Sequence, residues 1–261
     1  MRNSKLIVIT RRLLTPDKIP GINIAAWFST MESGSVILDG TTASQWSDIS
    51  GNNRHATQAT KAKQPTYTPD GLNGKPVLTF DGVDDEIRTG NIFSGATDFS
   101  VASVFRRSGT SGSMLAMGLN DGSNYTYDLS TREDFANSVR IIHRQPGDAR
   151  SSPANSVVGD AFVTVSTRGS SVILDTFNGV NAVVQSPPAV PSQPTFAQSA
   201  LAIGAGGSSG FFNGLVSEIV ITGSVLSTTD RQQLEGYLAW RRGLQANLVN
   251  NHPFKFSPPY I

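Results

Sequence analysis

Gln45-Trp46-Ser47-Asp48-Ile49-Ser50-Gly51-Asn52-Asn53 and its companion Phe80-Asp81-Gly82-Val83-Asp84-Asp85 decide how this chain is read. Each couples a large aromatic, which favours burial, to a cluster of Asp, Asn, Ser and Gly, which favours a tight hydrogen-bonded turn. Both read as strand-to-loop corners of a β-sandwich.

Working outward, 261 residues suffice for a full core, and an all-β sandwich of this length is commonly one domain. With 16% charged residues, 25 Gly and 14 Pro, the composition suits a turn-rich β protein and argues against disorder. Twenty-one basic residues against 20 acidic ones give a net charge of +1, so there is no global attraction to nucleic acid or to an anionic membrane. The absence of cysteine removes disulfides, thiolate nucleophiles and zinc-thiolate sites. No apolar run approaches the roughly 18 to 20 residues of a membrane span. The run Leu6-Ile7-Val8-Ile9 imitates a signal peptide but stops at Thr10, so no secretion signal is expected.

Strand-like segments separated by turn signals follow one another. They are Ile22 to Phe28, Ser35 to Leu38, Val77 to Phe80, Phe99 to Phe105, Ser113 to Met117, Ser138 to His143, Ala161 to Ser166, Ser171 to Asp175, Asn181 to Val184, Ala200 to Gly204 and Val216 to Ile221. Asn120-Asp121-Gly122 is a strong turn signal, and the proline-rich Pro187 to Pro194 is excluded from any central strand. One helix is expected, from Thr228 to about Arg242. Ser227 is its N-cap, Asp230 sits three residues on, Arg241-Arg242 load its end, and Gly243 terminates it. Its apolar face, Leu234, Tyr237 and Leu238, is expected on the sandwich edge. The chain therefore divides into a basic arm (1–24), a sandwich with its helix (25–243) and an extended strap (244–261). In the arm, Arg2, Lys5, Arg11, Arg12 and Lys18 face the single acid Asp17. It reads as a floppy terminus or as a docking element.

In this order, Trp27, the Trp46 to Asn52 corner, Pro65-x-Tyr67, Gly74-x-Pro76-Val77 to Phe80-Asp81-Gly82, Phe212-x-Gly214, Glu218-Ile219 and Leu226-Ser227 to Trp240 resemble the laminin-G-like, concanavalin A-like lectin/glucanase superfamily. The match through His252-Pro253-Phe254 resembles its phage and marine-bacterial branch. The resemblance covers about Gly21 to the C-terminus and implies an all-β jelly-roll sandwich with one C-terminal helix and extended termini. Two departures count against a ligand or calcium rim of the family kind: Ser29 follows Trp27-Phe28 where relatives often carry an acid, and Asn53 replaces a glycine.

Glucanases of this fold pair carboxylates on one strand, commonly as Glu-x-Asp-x-x-Glu. None of the five Glu begins that spacing, so no catalytic residue is assigned and a non-enzyme is expected. Asp81, Asp84 and Asp85, with Glu86, form the densest acid group. It is read as a charged turn before a metal site, calcium being the ion such oxygens would take. Asn120, Asp121, Asn124, Tyr125 and Tyr127 are placed on an exposed loop whose amides and aromatics suit sugar binding, with a plain polar loop read before a sugar site. His55, His143 and His252 stand without zinc-site spacing and read as structural or exposed. Gly204-Ala205-Gly206-Gly207 lacks the Lys of a phosphate loop.

With the resemblance, these features lead to an expectation of a phage virion-surface protein, a capsid decoration or head-fibre protein. It would dock through its arm onto the major capsid protein or another virion protein, as a homo-oligomer for which a trimer is the natural form at quasi-three-fold capsid positions, with no nucleic-acid or membrane partner. The alternative is a carbohydrate-binding adhesin or tail-fibre tip that meets host-surface glycans. A polysaccharide-active enzyme comes third, and would depend on an acid such as Asp84 or Glu86.

Overall fold

A computed structural model describes residues 11–110, 112–119, 125–132, 138–145, 148–155, 158–170, 172–182, 195–196, 198–206 and 210–261. The alternating segments become antiparallel strands in two layers. In the first, Ile24–Ser29, Asn213–Thr222, Phe99–Arg107, Ala161–Arg168 and Ile173–Phe177 lie side by side in that order. In the second, the order is Asp148–Asn155, Ser138–Gln145, Tyr125–Arg132, Gly112–Leu119, Gln198–Ile203 and Ile87–Asn91. The hairpin Thr66–Leu72 and Lys75–Asp81 joins the first layer by pairing with the start of Asn213–Thr222.

The strand period of two sends alternate residues to opposite faces. Phe99, Val101 and Phe105 enter the core between the layers, with Phe28, Trp46, Leu78 and Phe80. Ala102 and Val104 point the other way, into a second core shared with Leu234, Tyr237 and Leu238 of the helix. The helix thus covers the outer face of the first layer, not its edge as the sequence suggested. Because that layer is buried on both sides, its central strand Asn213–Thr222 is buried over nine consecutive residues. A β-bulge between Val216 and Glu218 resets the alternation there, so that Val216 and Ile219 both face the inter-layer core. The same shift puts Glu218 under the helix.

The helix Thr228–Arg242 begins and ends where its caps predict. Ser227 Oγ accepts from the Asp230 N–H at 3.2 Å and donates to the Asp230 carboxylate at 2.6 Å. Gly243 closes the helix at φ 70°, a conformation that costs glycine little. Beneath it, Glu218 Oε1 accepts from Trp27 Nε1 and the Tyr237 hydroxyl, each at 2.9 Å. Its Oε2 accepts from Arg242 Nη2 at 2.8 Å, and neither Glu218 nor Arg242 is exposed. Arg242 Nη2 also donates to Ser217 O and Ser29 Oγ.

The ends of the chain are not wholly free. Leu13 pairs antiparallel with Tyr260, the Leu14 N–H donates to Pro259 O at 2.8 Å, and the Ile261 N–H donates to Arg12 O at 3.0 Å. Leu14 and Ile19 are buried in the helix-side core. Of the expected arm, therefore, the stretch from Leu13 onward is seated on the body, and Lys18 is paired with Asp17 at 2.8 Å. Arg11 and Arg12 are exposed, with Arg11 over the Tyr260 ring at 5.8 Å, whereas Arg2 and Lys5 lie outside the described residues. The expected strap contains a 3-10 turn, Gln245–Asn247, and is tied to the helix by Trp240 Nε1 donating to Phe254 O at 2.7 Å.

Arg242→Met leaves the Glu218 charge buried without its partner and should cost about 3–5 kcal/mol in chemical denaturation. Adding Glu218→Gln to that variant should recover part of the loss. If the two substitutions instead lower stability additively, the pair is not coupled as described.

Candidate functional site

The two corners that decide the fold are held by their own hydrogen bonds. Trp46 is fully buried against Phe28, ring centroids 5.6 Å apart. Asp48 Oδ1 accepts from the N–H groups of Trp27 and Ser50 at 2.9 Å, and Oδ2 from that of Arg54 at 3.0 Å. Burial alone would push the Asp48 pKa up, but these donors outweigh it and hold the carboxyl below its ordinary value. Asn52 Nδ2 and Arg54 Nη1 donate to Ala25 O, and His55 Nδ1 accepts from the Asp48 N–H. Asp48, Asn52 and Arg54 fasten the loop to the first strand, and His55 and Ser50 brace it from within.

At the second corner Phe80 is buried in the inter-layer core and the acids lie outside it. Asp81 Oδ1 accepts from the Val83 N–H at 2.8 Å, and Asp85 Oδ2 from the Asp81 N–H at 3.0 Å. The carboxylates of Asp81, Asp84 and Asp85 come within 4.8 Å of one another, a separation hard cations accept. Burial, aided by the charges of Asp81 and Asp84, pushes Asp85 up to about 6 against the pull of the Asp81 N–H.

Of the expected sugar loop, only Tyr125 and Tyr127 fall among the described residues. Asn120, Asp121 and Asn124 lie outside the described residues, and Tyr125 begins the strand Tyr125–Arg132. Tyr127 is fully buried, edge-on to Phe99 and His143, so it cannot meet a ligand at a rim. It falls on the inward face because the strand begins two residues earlier than the loop reading allowed. His143 is likewise buried. Its Nε2 meets both Asp175 Oδ1 at 2.9 Å and Ser166 Oγ at 3.1 Å. A nucleophilic relay needs one partner on each ring nitrogen, so this Ser–His–Asp set is a structural contact.

A site that the sequence reading missed lies at the start of the helix. Asn178 and Gly179, both at positive φ, turn Ile173–Phe177 into Val180–Asn181. The Asn178 side chain accepts from the Val163 N–H at 2.8 Å, and its carbonyl accepts from the Val249 N–H at 3.0 Å. A Cβ on Gly179 would come 2.8 Å from His252, so the tail approaches closely only because this residue is glycine. Between turn, helix and tail opens a polar pocket of about 330 Å³. Asn181, Gln232 and Asn251 bring amides to its wall, Val180 and Val249 an apolar surface, and Arg231 and His252 line it as well. Below it Glu235, fully buried, accepts from Arg231 Nη1 at 2.7 Å, Thr176 Oγ1 at 2.5 Å and His252 Nε2 at 3.0 Å. His252 Nδ1 accepts from the Phe254 N–H, which fixes the tautomer with its proton on Nε2. The Asn178-Gly179 dipeptide was the available signal, since Asn-Gly is a preferred two-residue hairpin turn.

No protein-family model matches the chain, and no curated protein sequence matches it. Solved structures do. Domain 4 of the extracellular arabinanase AbnA from Geobacillus stearothermophilus, in complex with arabinotriose, superposes with a TM-score of 0.59 at 14% identity, over 82% of this chain and 99% of that one. The ligand binding domain of Botulinum neurotoxin serotype D, in complex with N-acetylneuraminic acid, gives 0.61 at 11% identity, over 85% and 52%. Trypanosoma rangeli sialidase, in complex with sialic acid, gives 0.58 at 15%, over 83% of this chain and 33% of the sialidase. The chain is a β-sandwich, as those domains are. At these identities the likeness establishes the fold, and the chain spans about a third of the sialidase's length. The expectation of a non-enzyme is corrected by these matches, because an arabinanase and a sialidase carry the same fold. A missing Glu-x-Asp-x-x-Glu strand speaks only to one arrangement of carboxylates and does not separate this sandwich from glycoside hydrolases.

The raised Asp85 pKa makes a prediction with a definite sign. Its proton is held in the fold to about 6 but in the unfolded chain only to near the ordinary 3.8. Stability is therefore lost as pH rises through that window and stays level above it. Asp85→Asn should melt above the parent at pH 7.5, with the gap closing by pH 3.5. An equal gap at both pH values would show that ionisation of Asp85 is not the cause.

Proposed function

We propose that this sandwich is a glycan-recognition module and that the pocket between the Asn178-Gly179 turn, the helix and the tail receives a sugar residue. The observation that carries the reading is the wall itself. Three amides for hydroxyl groups, two valines for the apolar face of a ring and a buried arginine converge on a cavity at the small end of the ligand-pocket range of roughly 300–1,000 Å³. The bound arabinotriose and N-acetylneuraminic acid of the arabinanase and neurotoxin domains support it as a use to which this fold has been put.

A second reading concerns where the module is carried. Exposed Arg11 and Arg12 stand beside exposed Tyr260 and Ile261, where the two described ends of the fold pair. A basic and apolar patch of this kind suits docking onto an acidic protein surface, as on a phage virion carrying the module to host glycans. The arm in this reading is residues 1–12, since those beyond pack into the core.

On a panel of neutral and acidic oligosaccharides the protein should bind at least one with an affinity in the micromolar to millimolar range. Asn181→Ala and Gln232→Ala should weaken that binding about fivefold or more without a change in melting temperature. No binding anywhere on the panel would sink the glycan reading. Deleting residues 1–10 together with Arg11→Glu and Arg12→Glu should leave the melting temperature unchanged and abolish particle association, whereas deletion to residue 24 should unfold the protein by removing Leu14 and Ile19.

A further inference from the structure

We infer that the pocket selects a sugar bearing a carboxylate and that Arg231 receives it; this rests on the glycan reading and names the class of glycan. Arg231 is 5% exposed and lines the cavity. Its Nη1 is engaged by both oxygens of Glu235, at 2.7 and 2.9 Å. Nε is enclosed and closed to a ligand, which leaves Nη2 as the end of the guanidinium that can meet the cavity. A guanidinium N–H donates more strongly to a charged carboxylate oxygen than to a neutral sugar hydroxyl.

The surroundings favour the same ligand. Among the described residues no Asp or Glu lines the pocket, so an incoming anion meets no like charge from them at the wall. Glu235 does not leave Arg231 free to swing. Its carboxylate is fixed from the far side by Thr176 Oγ1 and by His252 Nε2, and this holds the guanidinium plane in place. The amides of Asn181, Gln232 and Asn251 then remain for the hydroxyl groups of a ring seated by its acid.

Binding of D-glucuronate and of N-acetylneuraminate, followed by ligand-observed NMR and calorimetry, tests this against D-glucose, N-acetylmannosamine and inorganic phosphate. The acids should bind about tenfold more tightly than the neutral sugars or phosphate. Arg231→Lys keeps the charge facing Glu235 and should melt like the parent, yet lose about tenfold in affinity for the acids because its single ammonium stays on Glu235 and leaves no second donor for the cavity. Asn251→Trp, at an exposed position on the wall, should block all sugars. If acids and neutral sugars bind alike, if Arg231→Lys binds the acids as the parent does, or if phosphate binds as well as they do, the inference is overturned. Neutral oligosaccharide binding that Asn251→Trp abolishes would then leave the glycan reading standing, whereas silence towards every saccharide would remove both.

Discussion

The buried Glu218 carboxylate is the joint on which the two halves of this molecule meet. A charge taken out of water is costly unless every lone pair finds a donor. Here Trp27 comes from the first strand, Tyr237 and Arg242 from the helix, and Ser29 and Ser217 complete the arginine. None of these groups can be satisfied unless strand, bulge and helix are all in register. The β-bulge before Glu218 is what turns the acid towards the helix. The helix position in turn sets the pocket, whose Arg231 lies three turns back along the same helix from Arg242.

Burial on both faces of the first layer has a second effect. Once the helix covers it, that layer has little freedom to breathe, and polar groups inside it must be matched in pairs. Ser100 with Thr167 and Ser103 with Thr164, at 2.9 and 2.7 Å, are such matches across neighbouring strands. The pocket sits where this regular packing stops, at a hairpin, a helix start and a tail.

What could be read from the sequence follows the range over which each signal acts. The helix and its caps are local, and Ser227, Asp230 and Gly243 stand where their chemistry places them. The Trp46 and Phe80 corners were legible because an aromatic beside Asp and Gly can only be buried with its turn outside. Placing Tyr127 on a loop failed because the turn signal at Asn120-Asp121-Gly122 was extended too far into an alternating strand, Tyr125–Arg132. The pocket was hidden for a different reason. Its wall is drawn from residues near 180, 231 and 250, and no spacing rule joins segments that meet only through tertiary packing. Glu218 belonged to a stretch that carried the resemblance and Arg242 to the charged end of the expected helix, yet nothing in their order announced that they were partners. His252 is similar: it stood alone in sequence and lies on Glu235 in space.

The pairing of Leu13 with Tyr260 brings both ends of the fold to one place on its surface. Whatever is joined to either end leaves through the same doorway, so the sandwich can be held like a pendant from a single point. The pocket is then free to turn as one body about that point, and its reach is set by the connection and not by any bending within the fold. Loss of the C-terminal strand would change the suspension before it changed the fold, because Pro259 and Ile261 contribute hydrogen bonds there but no side chain to either core, whereas the strand facing it also seats Leu14 in the helix-side core.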